Sequence, residues 1–305
     1  MKNLPKNVGQ SGQALLLVLL SMAVVLTVVL SILSRSITDV SVSTKEEEAL
    51  RAFSAAEAGV EEALISGNIG SIIANSEYSD NASFSTSIAV ANTNDYEFGN
   101  PIGIFSGESI TFWFVAHDDE GDLICSAERP CFTGNQIKIC WGKEGTAGNT
   151  DTTPAIEASV YYLNTPGSIG TARIARAAID PNETRRASNG FSAPDSGTCD
   201  LSTGERYAFQ KTFDLSTMNI GSGVYSTQNG LQFIKIKMLY NTTETHTAGI
   251  STNFSGNGTL PSQGVKITST GISGASNRKI DVFQGYGELP SVFDSAIFSL
   301  GGITK

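Results

Sequence analysis

The chain has few charged side chains for its length, and this shortage argues against one large class of partners. Only 16% of its 305 residues are Asp, Glu, Lys or Arg, and acidic residues outnumber basic ones by 30 to 20. A nucleic-acid surface needs clustered Lys and Arg to displace counterions from phosphates, and the sequence contains no such run. We therefore expect no general nucleic-acid binding.

Motifs of common catalytic sites are also missing. The two histidines, His117 and His246, form no HExxH pair, and neither a GxSxG elbow nor a GxxxxGK[ST] phosphate loop occurs. Scattered carboxylates are common on any acidic surface and indicate no active site by themselves. We expect a protein that is not an enzyme, and an anchored enzyme is the weakest of the alternatives.

The N-terminal region contains a long apolar segment. Residues 13–33, QALLLVLLSMAVVLTVVLSIL, contain no charged side chain. A helix rises about 1.5 Å per residue, so the segment spans about 30 Å, the thickness of a bilayer's hydrocarbon core. Lys2 and Lys6 precede it and Glu46 to Glu48 follow it, so the positive-inside bias places the N-terminus in the cytoplasm. We predict a transmembrane helix that crosses the membrane once.

An ordinary secretory signal is an alternative interpretation of this segment. Such signals have an apolar core of about 7 to 15 residues, which is shorter than the run seen here. The following sequence, SILSRSITD, also offers no convincing small-x-small cleavage site. The retained helix is therefore the preferred interpretation.

The helical pattern continues over residues 34–67. No proline or glycine interrupts the chain between Leu33 and Gly59, and Gly67 with Asn68 marks a helix end. Apolar side chains recur at spacings of three and four, as is typical of an amphipathic helix outside the cytoplasm. The predicted packing face comprises Leu50, Phe53, Ala56, Val60 and Leu64.

Residues 68–305 change to short β-like runs separated by Gly, Ser, Asn, Thr and Pro. Alternating patterns predict strands at 109–115, 123–125, 136–141, 206–213, 231–240, 265–269 and 279–283. Period-two patterning with one apolar face favours antiparallel sheets. Polar segments at 142–154, 182–204 and 241–263 are predicted as surface loops or insertions. The fold class is therefore α+β, with a long N-terminal helix packed on an antiparallel, β-rich globular domain.

Four cysteines lie in this β-rich region, at Cys125, Cys131, Cys140 and Cys199. An even number of cysteines outside the cytoplasm predicts disulfides, and three pairings are possible. Free buried thiols are an alternative. A zinc site is a weaker one, because the paired two-residue spacing of such sites is missing.

An acidic turn follows His117. Asp118, Asp119, Glu120 and Asp122 surround a glycine, and hard oxygen ligands on a tight turn are candidates for calcium. The spacing does not fit a twelve-residue helix-loop-helix site, and a polar hairpin turn explains the residues equally well. We expect no required cofactor, with calcium as the candidate metal.

The N-terminal 66 residues resemble a known family. Gly12 followed by Gln13, the apolar helix and then RAFSAAEAGVEEAL is similar to the PilX-type N-terminal segment of type IV minor pilins, related to atypical type II secretion pseudopilins. The resemblance covers about a fifth of the chain. It implies a pilin-like fold and a 12-residue prepilin leader. A prepilin peptidase removes such a leader after Gly12 and leaves Gln13 as a methylated N-terminus; Gly9 is the alternative cut.

The resemblance also implies partners and a location. Such a subunit waits in the bacterial inner membrane, then meets the pilus assembly machinery and other pilin subunits, and ends in an extracellular filament. Pilins commonly carry a glutamate at the fifth position after the cut, where this chain has Leu17. A buried N-terminal amine is costly without such a partner. This departure favours a minor, priming or tip subunit, and the alternative is a membrane-anchored envelope protein with a binding or adhesion role.

Overall fold

A computed structural model describes residues 11–66, 72–79, 81–91 and 95–288, with the backbone alone at residues 11–13, 66, 72 and 74–77. Most of the predicted leader lies outside these ranges. The helices are α1 (Ser11–Ser66), α2 (Glu183–Asn189) and α3 (Ser222–Tyr225), with a 3₁₀ turn at Ile169–Thr171. The strands are β1 (Ile72–Ser79), β2 (Ala82–Val90), β3 (Glu97–Gly99), β4 (Ser109–Trp113), β5 (Ala116–His117), β6 (Leu123–Ile124), β7 (Gln136–Lys143), β8 (Ala155–Leu163), β9 (Ala172–Ile179), β10 (Cys199–Asp200), β11 (Arg206–Asp214), β12 (Leu231–Leu239), β13 (Ala248–Ser251), β14 (Gly264–Ser273) and β15 (Ser276–Gly285).

Helix α1 is long and apolar enough near the N-terminus to span a membrane. Its end at Ser66 coincides with the sequence stop signal at Gly67. The strands that follow include antiparallel sheets, so the α+β class is confirmed.

The chain divides into two compact units. The helix unit contains residues 1–61, 73–86 and 269–280, and the sandwich unit contains residues 62–72, 87–268 and 281–305. Strands β1, β2, β14 and β15 form a four-stranded sheet in the order β1-β2-β14-β15.

Within the helix unit, α1 packs through its smallest side chains. Ala52, Ala55 and Ala56 are completely buried. A Cβ atom added to Gly271 in β14 would lie 1.9 Å from the Ala52 carbonyl oxygen and 2.5 Å from the Ala56 nitrogen. The helix and strand backbones therefore approach so closely at this point that only glycine fits in the strand.

This close approach corrects the predicted packing face. Ala56 is buried and Val60 is partly buried, as predicted. The larger members of the predicted face are exposed: Leu50 by 69%, Phe53 by 44% and Leu64 by 46%. Bulky side chains cannot enter an interface in which backbone meets backbone, so they lie away from the alanine face.

The sandwich unit is built on two antiparallel sheets. Their strand orders are β10-β11-β7-β13-β3 and β4-β12-β8-β9. Residues from both sheets belong to one buried core, among them Phe112 and Ile234 from one sheet and Trp141 and Ile250 from the other. The predicted strands show the expected alternation of buried and partly exposed side chains; in β4, for example, every second residue is buried.

A buried ion pair joins the loops beside β9. The Asp180 side chain is fully buried, and Arg185 donates to its two oxygens at 2.7 and 3.0 Å. The same guanidinium donates to the carbonyl oxygens of Thr153 and Asp151 and lies over the Tyr240 ring at 4.0 Å. One side chain therefore satisfies a buried carboxylate and ties two loops together.

Candidate functional site

The N-terminal part of α1 is the candidate assembly element. Every residue from 14 to 47 is exposed, and these residues extend about 51 Å along the helix axis. The apolar portion includes Leu17, which is 66% exposed. Gly12 and Gln13 lie in the first turn of this helix, where the structure describes the backbone alone. A helix this apolar needs lipid or other protein to cover it.

Residues 34–47 have a different character from the apolar portion. They are exposed as well, but Ser, Thr and β-branched apolar residues are mixed along them with charged residues, namely Arg35, Asp39, Lys45, Glu46 and Glu47. The hydroxyl groups of Thr38 and Thr44 donate to carbonyl oxygens one turn earlier, at 2.9 and 3.0 Å. Hydroxyls satisfied within the helix reduce the polar surface that a neighbouring protein must desolvate.

The four cysteines are paired in two disulfides. Cys125 is bonded to Cys131, with Cα atoms 5.3 Å apart, and Cys140 is bonded to Cys199, with Cα atoms 5.8 Å apart. The predicted disulfide class is therefore present, and the structure selects one of the three pairings. The second bridge links two cysteines that are 59 positions apart and joins β7 to β10.

Two carboxylates of the acidic turn accept hydrogen bonds from neighbouring groups. Asp118 accepts hydrogen bonds from the backbone nitrogens of Glu120 and Asp122 at 3.1 and 2.8 Å, and Asp119 accepts from Arg129 at 2.7 Å. Among the residues that the structure describes, no three His, Cys, Asp or Glu side chains are grouped so as to hold a metal. The Asp118 carboxylate thus closes the turn between β5 and β6, Asp119 is paired with Arg129, and the calcium hypothesis gains no support.

A buried histidine lies at the edge of the sandwich unit, and the sequence did not single it out. His117 is 6% exposed; its ring stacks on Tyr286 at 3.7 Å and meets Trp113 edge-on at 4.6 Å. Its Nδ1 atom is buried without a hydrogen-bond partner. Because 169 positions separate His117 from Tyr286, no local pattern predicts this contact.

We expect the free energy of unfolding to fall as the pH is lowered from about 6.5 toward 4. Burial lowers the pKa of His117 to about 4, against a smaller opposing effect of Asp118. The unfolded chain therefore takes up the proton first, and the stability that the neutral ring provides above pH 6.5 is lost through this window. The loss at pH 4 is about 3 kcal/mol.

Urea unfolding of the full chain in detergent at pH 7 and pH 4.5 measures this effect. The matched variant is His117→Phe, which keeps an aromatic ring but does not titrate. Titration of the carboxylates and of His246 is common to both proteins, so the difference between their pH slopes isolates His117. Equal slopes would contradict the expectation.

The comparisons with known proteins add no relative. No protein-family model matches this chain, and no curated protein and no solved structure is significantly similar to it. The function is therefore inferred from the residues and the geometry of this chain alone.

Proposed function

We propose that this chain is a minor structural subunit of a type IV pilus or a related secretion filament, inserted in the inner membrane before assembly. The observation that carries the proposal is the exposed helix of residues 14–47, which the described part of the chain leaves uncovered over about 51 Å. An element of this kind is suited first to lipid and then to the apolar interior of a fibre made from similar helices.

Leu17 supports a priming or tip position. In a fibre core the N-terminal amine of one subunit is buried against its neighbour, and a carboxylate offsets the cost of that buried charge. Leu17 supplies an apolar side chain at the position where pilins commonly carry glutamate. The subunit is therefore better placed where no second amine must be accepted, at the end of the fibre.

The same resemblance at the N-terminus leads us to propose how the chain matures. Prepilin peptidase cuts after Gly12 and removes Lys2 and Lys6, which leaves 18 basic and 30 acidic residues and a net charge of −12. Gln13 becomes the methylated N-terminus. The partners are then the assembly machinery of the inner membrane and other pilin subunits.

We expect Gly12→Val to abolish maturation, because a β-branched side chain replaces the small residue before the cut. The full chain is produced together with a prepilin peptidase, and its intact mass is measured after extraction from membranes. The wild-type chain should begin at methylated Gln13, and the variant should keep Met1. Gly9→Val is the matched control and should be processed like the wild type.

One outcome would reject the proposal, and another would correct the cleavage site. A wild-type chain that keeps Met1 in the presence of active peptidase would favour the second candidate, an envelope protein anchored by α1 that uses its outer body for binding or adhesion. Unchanged maturation of the Gly12→Val chain, with Gly9→Val blocked instead, would move the cut to the other glycine.

A further inference from the structure

The outer face of the β4-β12-β8-β9 sheet carries an aromatic row. Trp113, Phe233, Tyr161 and Ile174 lie opposite one another on four successive strands. The Phe233 ring centroid is 5.1 Å from that of Trp113 and 4.3 Å from that of Tyr161. Ile174 ends the row and is 47% exposed. These side chains point away from the sandwich core, so the row is an apolar strip on the surface of the unit.

The segment Tyr286–Glu288, which we name the strap, occupies one end of this strip. The Tyr286 ring stacks on His117, which in turn contacts Trp113, and the Tyr286 hydroxyl hydrogen bonds with Ser262. Two residues later, the Glu288 carboxylate accepts a hydrogen bond from the Thr111 hydroxyl on the same sheet face. The strap is therefore seated through one aromatic ring and one carboxylate.

The surface that receives the strap has the features of a binding site. His117 is 94% buried, and its Nδ1 atom has no hydrogen-bond partner even with Tyr286 in place. In the two rows next to the aromatic strip, Lys235, Lys237, Arg176 and Glu157 face the same side as Phe233; Lys235 is 6% exposed, and Arg176 lies 3.8 Å from Glu157. Without Glu288 of the strap, the basic side chains of these rows outnumber the acidic one on a chain with a net charge of −10, which suits an acidic ligand.

The strap is also placed so that a ligand can displace it from the strip. Gly287 and Glu288 are exposed, and a Cβ atom added to Gly287 would meet nothing within 4 Å. The described contacts of the strap with the strip are made by side chains. A segment tethered next to its own site competes with any free ligand at an effective concentration of the order of millimolar.

We propose that this face is a docking site for an extended segment of a partner protein, in which an aromatic residue is followed two positions later by a carboxylate. In the isolated chain the strap occupies the site as an internal ligand. A partner segment displaces it, stacks its aromatic ring on His117 beside the Trp113 end of the row, and accepts the Thr111 hydrogen bond through its carboxylate. The proposal is independent of the filament role and of maturation at Gly12.

The test measures binding of a labelled hexapeptide, FQGYGE, which has the sequence of residues 283–288. Fluorescence anisotropy is recorded with the full chain in detergent. The wild type is compared with the double variant Tyr286→Ala, Glu288→Ala, which lacks both anchoring side chains of the strap and is called the strap-free chain. Removing the internal competitor should tighten peptide binding by about tenfold or more. A peptide with alanine in place of tyrosine should bind the strap-free chain about tenfold more weakly.

Two further variants localise the site. Thr111→Val in the strap-free chain should weaken binding several-fold, because the carboxylate loses its donor. Tyr286→Phe keeps the ring but loses the hydrogen bond to Ser262, so its affinity for the peptide should lie between those of the wild-type and strap-free chains. If the double variant fails to fold by circular dichroism, Glu288→Ala alone provides the comparison, with a smaller gain of about threefold.

The proposal is overturned if the strap-free chain does not bind the peptide at millimolar concentration. It is also overturned if wild-type and strap-free chains bind equally, since the strap then does not compete. Equal binding of the tyrosine and alanine peptides would show non-specific apolar adsorption, and it too would reject the assigned site.

Discussion

Replacing Gly271 with alanine is expected to destabilise the full chain by about 3 kcal/mol, since overpacking a tight contact costs about 1–3 kcal/mol or more. The new methyl group would lie 1.9 Å from the Ala52 carbonyl oxygen and 2.5 Å from the Ala56 nitrogen. Both are backbone atoms within a helix, so neither can move aside alone. The helix must shift away from β14, which opens the alanine interface to water.

Thermal unfolding followed by circular dichroism and hydrogen exchange over residues 48–61 measures this change. The matched control is Gly223→Ala in α3, where an added Cβ meets nothing within 4 Å. Alanine favours a helix over glycine, so the control should be neutral or slightly stabilising. The assigned interface would be wrong if both variants behaved alike.

Replacing Arg185 with alanine is expected to cost about 3–5 kcal/mol, because it leaves a buried carboxylate without its cation. The Asp180 side chain is completely buried, and the Arg185 side chain is 15% exposed. Burial raises the pKa of Asp180, but the hydrogen bonds from Arg185, Asn182 and Asn189 outweigh it and hold the pKa below its ordinary value of 3.8. The stability from this carboxylate is therefore present above pH 3.8 and is lost as the pH falls through the lowered pKa.

Urea unfolding at pH 7 compares this variant with Arg206→Ala. Arg206 contacts Glu144 and Asp200, but all three side chains are more than 60% exposed. An exposed ion pair contributes between about 0 and 1 kcal/mol. A cost for Arg185→Ala as small as that for Arg206→Ala would contradict the role assigned to the buried pair.

The sequence predicted the elements whose patterning is strong. Helix α1 was predicted over residues 13–67 and extends from Ser11 to Ser66, since a long apolar run followed by a 3.6-residue repeat has few other interpretations. Strands β7, β11 and β12 were predicted to within three residues at each end. Each alternates because one side faces the core shared by the two sheets.

Other elements were missed for identifiable reasons. Strand β9, ARIARAAI, is rich in alanine and arginine and has weak strand propensity, and its pairing with β8 overrides that preference. The strand predicted at 109–115 was partly wrong. Residues 109–113 pair with β12, and the hairpin that contains the acidic turn is formed by β5, which begins three residues after Trp113, and β6.

The candidate sites depended still more on distant contacts. Counting cysteines predicts disulfides, but their pairing requires β7 and β10 to lie close together. The packing face of α1 was predicted wrongly because the sequence pattern points to the larger apolar residues. The close approach of the Gly271 backbone to the helix leaves room only for alanine side chains. The strap could not be predicted, because Tyr286 belongs to no periodic pattern and its partners are spread over the chain.

The uncovered stretch of α1 between residues 34 and 47 has a mechanical consequence. These 14 residues measure about 21 Å along the axis, whereas the headgroup layer on one side of a bilayer is about 5–8 Å thick. With residues 14–33 filling the hydrocarbon, Glu48, the first residue of α1 that is partly buried, stands about 13 Å clear of the headgroups. In such a placement, the first partly buried turn of α1 is separated from the membrane surface by helix that is exposed along its whole length.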